Sequence, residues 1–164
     1  MQITSFKDLY IAELQELTSL EGQLVDALQR MAEAASHPSL KNAFKHHRDQ
    51  TQAQKQRLES ILQKHGASPQ AHTDQAMQAL INETEKMMEM VKGDDLRDAA
   101  LIASAQKVEH YEIAAYCVVA SLAGQLDLRD DQRLLHESLE EEKEADVELT
   151  KVAKSEVNRD AVAA

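Results

Sequence analysis

Tryptophan is absent, aromatic residues make up only 3 % of the chain, and 164 residues hold one cysteine, two prolines and four glycines. A lone cysteine, Cys117, cannot close an intrachain disulfide, so a reducing compartment is expected. Positive charge is also scarce. Lys and Arg number 18 against 29 Asp and Glu, a net charge of -11. That balance excludes a sequence-independent grip on DNA or RNA, which needs neutralising cations, and binding to an anionic membrane surface. No apolar run approaches the roughly 20 residues of a membrane span. The N-terminal MQITSFKDLYIAEL lacks the basic and apolar regions of a signal peptide, so the expected location is cytoplasmic, with neither nucleic acid nor membrane as partner.

What remains is rich in Ala, Leu, Glu, Gln, Lys and Met, the composition of helix. With 43 % hydrophobic and 29 % charged residues the chain is globular, and its length suits one all-α domain. The 3.6-residue period predicts helices over Ser5–Ala35, Pro38–His65, Ala71–Lys92, Leu96–Ala123 and Asp130–Val157, with a frayed tail from Asn158. Pro38 suits a first helical turn, Gly66 a C-cap, and Gly124–Leu128 a turn. Four long helices and a shorter one describe a four-helix bundle: two helical hairpins with a short additional helix between them.

The stripes of the long helices share an anomaly. In the fourth, Ile102, Ala105, Glu109, Glu112, Tyr116, Val119 and Ala123 fall on one face, and two carboxylates stand in its middle. The second carries Leu40, Phe44, His47, Thr51, Gln54, Leu58 and Ile61; the fifth carries Leu135, Leu139, Glu142, Asp146, Leu149 and Val152. In the first, Glu21 lies beside Phe6, Tyr10, Leu17, Leu20, Leu24, Leu28 and Met31. A carboxylate buried without a partner costs several kcal/mol, so these glutamates need a cation or an exposed stripe. Antiparallel helices of similar length bring their midpoints to one level. Carboxylates with an occasional imidazole then meet in the bundle centre, as in di-iron and di-manganese carboxylate proteins. Elsewhere the plain readings hold: Glu13 at a stripe edge, Glu140, Glu141 and Glu144 on a solvated face, His46 and His110 at the surface, Met87, Met88 and Met90 in packing, and Cys117 in the core.

The runs AALIASAQKVEHYEIAAY (Ala99–Tyr116) and LEEEKEADVELT (Leu139–Thr150) resemble the YciE/YciF-like family of bacterial ferritin-like stress proteins. Leu9–Leu24 and His46–Glu59 extend the resemblance over nearly the whole chain. It implies a rubrerythrin-like bundle, a dinuclear metal site, homodimers and a part in bacterial stress responses. Glu21, Glu109, Glu112 and Glu142 match the family's acidic positions, Asp146 the acidic residue one turn after Glu142, and His47 the histidine of the second helix. One position departs: where the family usually carries a second glutamate directly before the threonine, this chain has Gln50 before Thr51. A glutamine there offers a carbonyl oxygen but no charge.

The implied metal set is therefore Glu21, His47, Gln50, Glu109, Glu112, Glu142 and Asp146, holding two iron ions, with manganese or zinc as alternatives. The functional expectation is a dimetal centre acting on a small oxidant, peroxide or oxygen, with Tyr111 or Tyr116 as a nearby redox or hydrogen-bonding group. The alternative is a non-enzymatic dimeric helical scaffold with a vestigial or mononuclear site, which Gln50 favours.

Overall fold

The computed structural model describes residues 2–164. Its elements are α1 (Phe6–Ala34), α2 (Pro38–Lys64), α3 (Gln75–Met90), α4 (Asp94–Gln125), α5 (Arg129–Val152), a single π-helical turn (Ala153–Val157) and α6 (Asn158–Ala163). No strand occurs among the described residues. α1 pairs with α2 and α4 with α5; the hairpins then meet as α1 on α4 and α2 on α5, while α3 crosses α1 and α4. This is the ferritin-like four-helix bundle with a short helix between its hairpins. No helix among the described residues is long and apolar enough to cross a membrane.

The helix ends follow local chemistry. Ser5 and Asp8 form a reciprocal capping box at the start of α1. α2 opens on Pro38 without a side-chain cap of its own; instead buried Asp98 of α4 accepts the backbone N–H groups of Ser36 (2.8 Å) and His37 (2.7 Å). One carboxylate thus fastens the first hairpin's turn to the second hairpin. α2 ends in a Schellman motif, with Ala67 N bonded to Leu62 O, Gly66 N to Gln63 O, and Gly66 at φ 69°. The same pattern ends α4, but the left-handed residue there is Asp127, at φ 56°. Gly124, expected in that turn, lies inside α4. A Cβ on it would meet the Gln132 side chain at 2.6 Å, so it is a close-approach position.

The predicted stripes of α2 and α4 are buried along their whole length. Leu14, Leu20, Leu40, Leu58 and Leu62 lose essentially all contact with water, each contributing about 1.5–3 kcal/mol of transfer free energy. Opposite the first hairpin's turn, Asp131 ties three helices together. It accepts from Tyr10 Oη (3.3 Å) and Lys64 Nζ (2.9 Å) and pairs with His65 Nε2 (2.6 Å). Burial alone would raise its pKa, but hydrogen bonds from His65 and Lys64 overcome that and hold it below the usual value.

Several expectations are corrected. Phe6, at the open end of α1, is 47 % exposed. Cys117 is exposed, because it follows Tyr116 by one residue and so points about 100° away from the buried stripe. α3 starts at Gln75, four residues beyond the expected Ala71, because Asp74 caps it by accepting from Met77 N. The tail continues as helix: Val157 is buried and α6 follows it, with none of the α6 side chains buried.

Candidate metal centre

The mid-bundle stripes converge. His47 of α2, Glu109 and Glu112 of α4 and Glu142 of α5 are all buried, and one ligand atom from each lies within 4.8 Å of the others. His47 Nε2 stands 3.1 Å from Glu109 Oε1, 3.5 Å from Glu142 Oε2 and 3.9 Å from Glu112 Oε2. Both His47 nitrogens, both Glu112 oxygens, Glu109 Oε2 and Glu142 Oε2 are buried without an aligned hydrogen-bond partner. Native cores rarely leave so many polar atoms unsatisfied in one place. Donors around one ion, bonded at about 2.0–2.2 Å, stand roughly 3–4 Å apart, so this cradle fits a single transition-metal ion.

Glu21 faces the same centre from α1. It is fully buried, its Oε1 accepts from the Tyr116 phenol, and its Oε2 has no partner. Across the bundle, Gln54 Nε2 donates to Glu142 Oε1 and to Glu141 Oε2 (3.0 Å). Arg57, one turn further along α2, grips Glu141 with NH1 at 2.6 Å and NH2 at 2.8 Å. Glu141 is therefore half-buried in an ion pair instead of lying on a solvated face. Tyr116 is the tyrosine at the centre; Tyr111 donates instead to Asp74 (2.8 Å) at the start of α3.

Of the expected set, Gln50 borders two of the four, His47 and Glu109, and Asp146 lies outside the cluster. Gln50 is half-buried on a narrow cleft between α2 and α5, with His47 and Glu109 at its base and Ala145 and Glu148 opposite. The cleft's free volume is about 10 Å³, near the space of one water molecule. Asp146 is half-buried and directs Oδ1 towards exposed His110, at 3.4 Å. Two wider clefts, of about 340 and 320 Å³, flank α3, and no member of the cluster lines them.

The electrostatics are those of a cluster that could hold a cation. Burial, then repulsion from Glu112, raises Glu21 and Glu142 well above the usual carboxylate range. Glu112 is raised to about 7, chiefly by burial. For His47, burial favours the neutral ring, but Glu109, Glu112 and Glu142 together outweigh it and push the pKa well up. These shifts favour the protonated forms of His47 and the carboxyls, so a metal ion bound here would displace protons.

A dinuclear carboxylate centre of the usual kind draws on four carboxylates and two imidazoles, with Glu-x-x-His on two helices. Here Glu21, Glu109, Glu112 and Glu142 supply the carboxylates, but His47 is the one imidazole among them. On α5 the residue three after Glu142 is Ala145, and α2 offers Thr51 and Gln54. The residues fit one ion fully and a second only in part. Sequence reasoning counted Gln54 among the polar groups at mid-helix but left it out of the metal set, and its role as a donor to Glu142 was not foreseen. The available signal was spacing: His47 and Gln54 are two helical turns apart on one face, so they can flank one carboxylate from a facing helix.

Fold and site together define a ferritin-like helical bundle with a buried carboxylate–imidazole centre. The chain belongs to the DUF892 family, a domain of unknown function whose model matches residues 5–162. It is 40 % identical to Protein YciF of Escherichia coli strain K12 over 162 residues, 98 % of each chain. The crystal structure of that stress protein superposes with a TM-score of 0.90, covering 95 % of this chain and 99 % of the other. YcfI from Rhodopseudomonas palustris is 34 % identical with a TM-score of 0.89, over 93 % and 97 % of the two chains. A protein from Xanthomonas campestris shares the fold at 18 % identity, with a TM-score of 0.75 and 92 % coverage of each chain.

Proposed function

We propose that this protein is a cytoplasmic, stress-associated metalloprotein that holds metal, iron before manganese or zinc, in its bundle core and, with iron or manganese bound, acts there on peroxide or oxygen. One observation carries the reading: the imidazole and three carboxylates of His47, Glu109, Glu112 and Glu142 converge from three helices with their polar atoms unpartnered. His47 and the three glutamates would hold one ion; a second would fall to Glu21 Oε2 and Glu112 Oε1. Iron held by these residues would supply the electrons for reducing a small oxidant. Access favours the same substrate class. The cleft beside Gln50 has room for little more than a water-sized molecule, which suits a small oxidant such as peroxide or oxygen. Tyr116 holds a proton against Glu21 Oε1, and Gln54 fixes the orientation of Glu142. The stress role is argued from likeness to YciF, described as a stress protein.

The test is elemental analysis of protein purified without a metal-affinity tag, then anaerobic titration with Fe(II) and an assay of peroxide consumption. Bound iron that is oxidised by peroxide supports the reading. A chain that binds no metal in excess Fe(II) and Mn(II) overturns it, and the non-enzymatic scaffold takes its place. One feature favours that second reading: His47 Nδ1 has no acceptor, whereas a ligating histidine ordinarily donates its other N–H to one. A homodimer belongs to the proposal under either reading. Its test is the mass in solution, and Leu96, Val118 and Val147 are exposed apolar side chains available to a partner copy.

A further inference from the structure

We propose that the centre takes one metal ion per chain, at His47, Glu109, Glu112 and Glu142, and that Gln54 and Tyr116 close the second position with hydrogen-bond donors. This deepens the metalloprotein reading and rests on it. The two halves of the centre are unlike. On the His47 side, an imidazole nitrogen and three carboxylate oxygens face one another, and apart from the ring's own N–H no side chain donates into the space between them. On the other side, both oxygens nearest to protein donors are already taken: Glu142 Oε1 accepts from Gln54 Nε2, and Glu21 Oε1 accepts from the Tyr116 hydroxyl. A metal ion placed there would face an N–H and an O–H, and neither is a ligand.

The orientation of the Gln54 amide decides the matter, and its surroundings fix it. Both neighbours of Nε2 are carboxylates, of Glu141 and Glu142. Turning the amide over would set its carbonyl oxygen against Glu141, which Arg57 keeps as an ionised, accept-only carboxylate. Glu141 in turn cannot swing away, because Arg57 holds both of its oxygens and also reaches Ser138 Oγ (3.1 Å) and Glu137 (3.3 Å). Arg57, Glu141 and Gln54 thus form a chain of fixed polarity ending on Glu142. What remains for a second ion is Glu21 Oε2, Glu112 Oε1 and the neutral Gln54 Oε1, without an imidazole.

The experiment loads the full-length, metal-free chain with Mn(II). Stoichiometry is read by equilibrium dialysis and elemental analysis, and the electron paramagnetic resonance spectrum separates isolated ions from a coupled pair. The natural sequence should bind one ion per chain with an uncoupled spectrum. Gln54→His should raise this to two and produce the coupled signal. Gln54→Glu combined with Glu141→Gln, which exchanges donor and acceptor without changing size, should do the same and serves as the second variant should the histidine disturb folding. Two coupled ions in the natural sequence overturn this inference while leaving the metalloprotein reading intact. One ion persisting in both folded variants overturns the role given to Gln54. No bound ion at all overturns the metalloprotein reading and this inference with it.

Discussion

Replacing Glu112 by glutamine should stabilise the metal-free protein while destroying its affinity for metal. Glu112 is fully buried on α4, and neither of its oxygens has an aligned partner. Burial, together with the charge of Glu109, raises its pKa from 4.5 to about 7. The sign follows from linkage. A folded-state pKa above the unfolded one favours the protonated folded form, so the contribution to stability is fully present below 4.5 and is lost as pH rises through about 7. With about 1.4 kcal/mol for each pKa unit, forcing ionised Glu112 into the core costs on the order of 3 kcal/mol in alkaline solution. Glu112→Gln keeps the shape, removes the charge and gives the neighbouring carboxylates an N–H donor. It also relieves Glu21 and Glu142, for both of which Glu112 is the charge that most raises the pKa. For a chain of this size about 3 kcal/mol corresponds to a melting temperature higher by roughly 6–12 °C. Calorimetry in EDTA should show that gain near pH 8.5 and little difference at about pH 4.5, where Glu112 is protonated in the folded protein. In the same variant Mn(II) affinity should fall at least about tenfold, in the range seen when a metal site loses a supporting group. A variant less stable than the natural protein near pH 8.5, or one that binds metal as before, would refute the assignment of Glu112 to an electrostatically strained cation site.

Glu142→Ala and His47→Ala should each abolish stoichiometric metal retention on dialysis, since each removes one of the four converging groups; retention at the natural level would remove that residue from the ligand set. Asp98→Ala should cost about 2–4 kcal/mol in chemical denaturation, because it leaves the Ser36 and His37 N–H groups without their charged acceptor, and Asp98→Asn should recover part of the loss. Asp127→Gly should stabilise by about 0.5–1 kcal/mol by removing a Cβ from a left-handed helix terminus, read as a higher denaturation midpoint at unchanged slope. Deleting residues 158–164 should lower the melting temperature by no more than about 2–4 °C, because no α6 side chain is buried; a larger loss would mean that α6 holds α4 in place.

The sequence by itself determined the bundle. Helix composition, sparse Pro and Gly, and apolar stripes of period 3.6 are local properties, and the backbone of α2 and α4 obeys them along its length. The presence of Glu21, His47, Glu109, Glu112 and Glu142 in the middle of those stripes was equally legible, because a charged residue on an apolar face stands out without coordinates. Only the tertiary structure decided which of the seven candidates meet. Asp146 shares the α5 stripe with Glu142, but it lies about 40° round the helix and one turn along it, where exposed His110 is its neighbour. Gln50 is adjacent to Thr51 in sequence, yet about 100° per residue takes it from the core to the wall of the cleft, beside His47 and Glu109. The direction of the donors was the least legible feature of all. That Gln54 gives its N–H to Glu142 depends on Arg57 and Glu141, which lie 84 residues apart in the chain and are joined only when α2 packs on α5. Periodicity determines which face a residue takes, because that is set by its own helix. Whether a polar group there acts as a ligand, a donor or a counter-ion is set by the atoms that other helices bring to it.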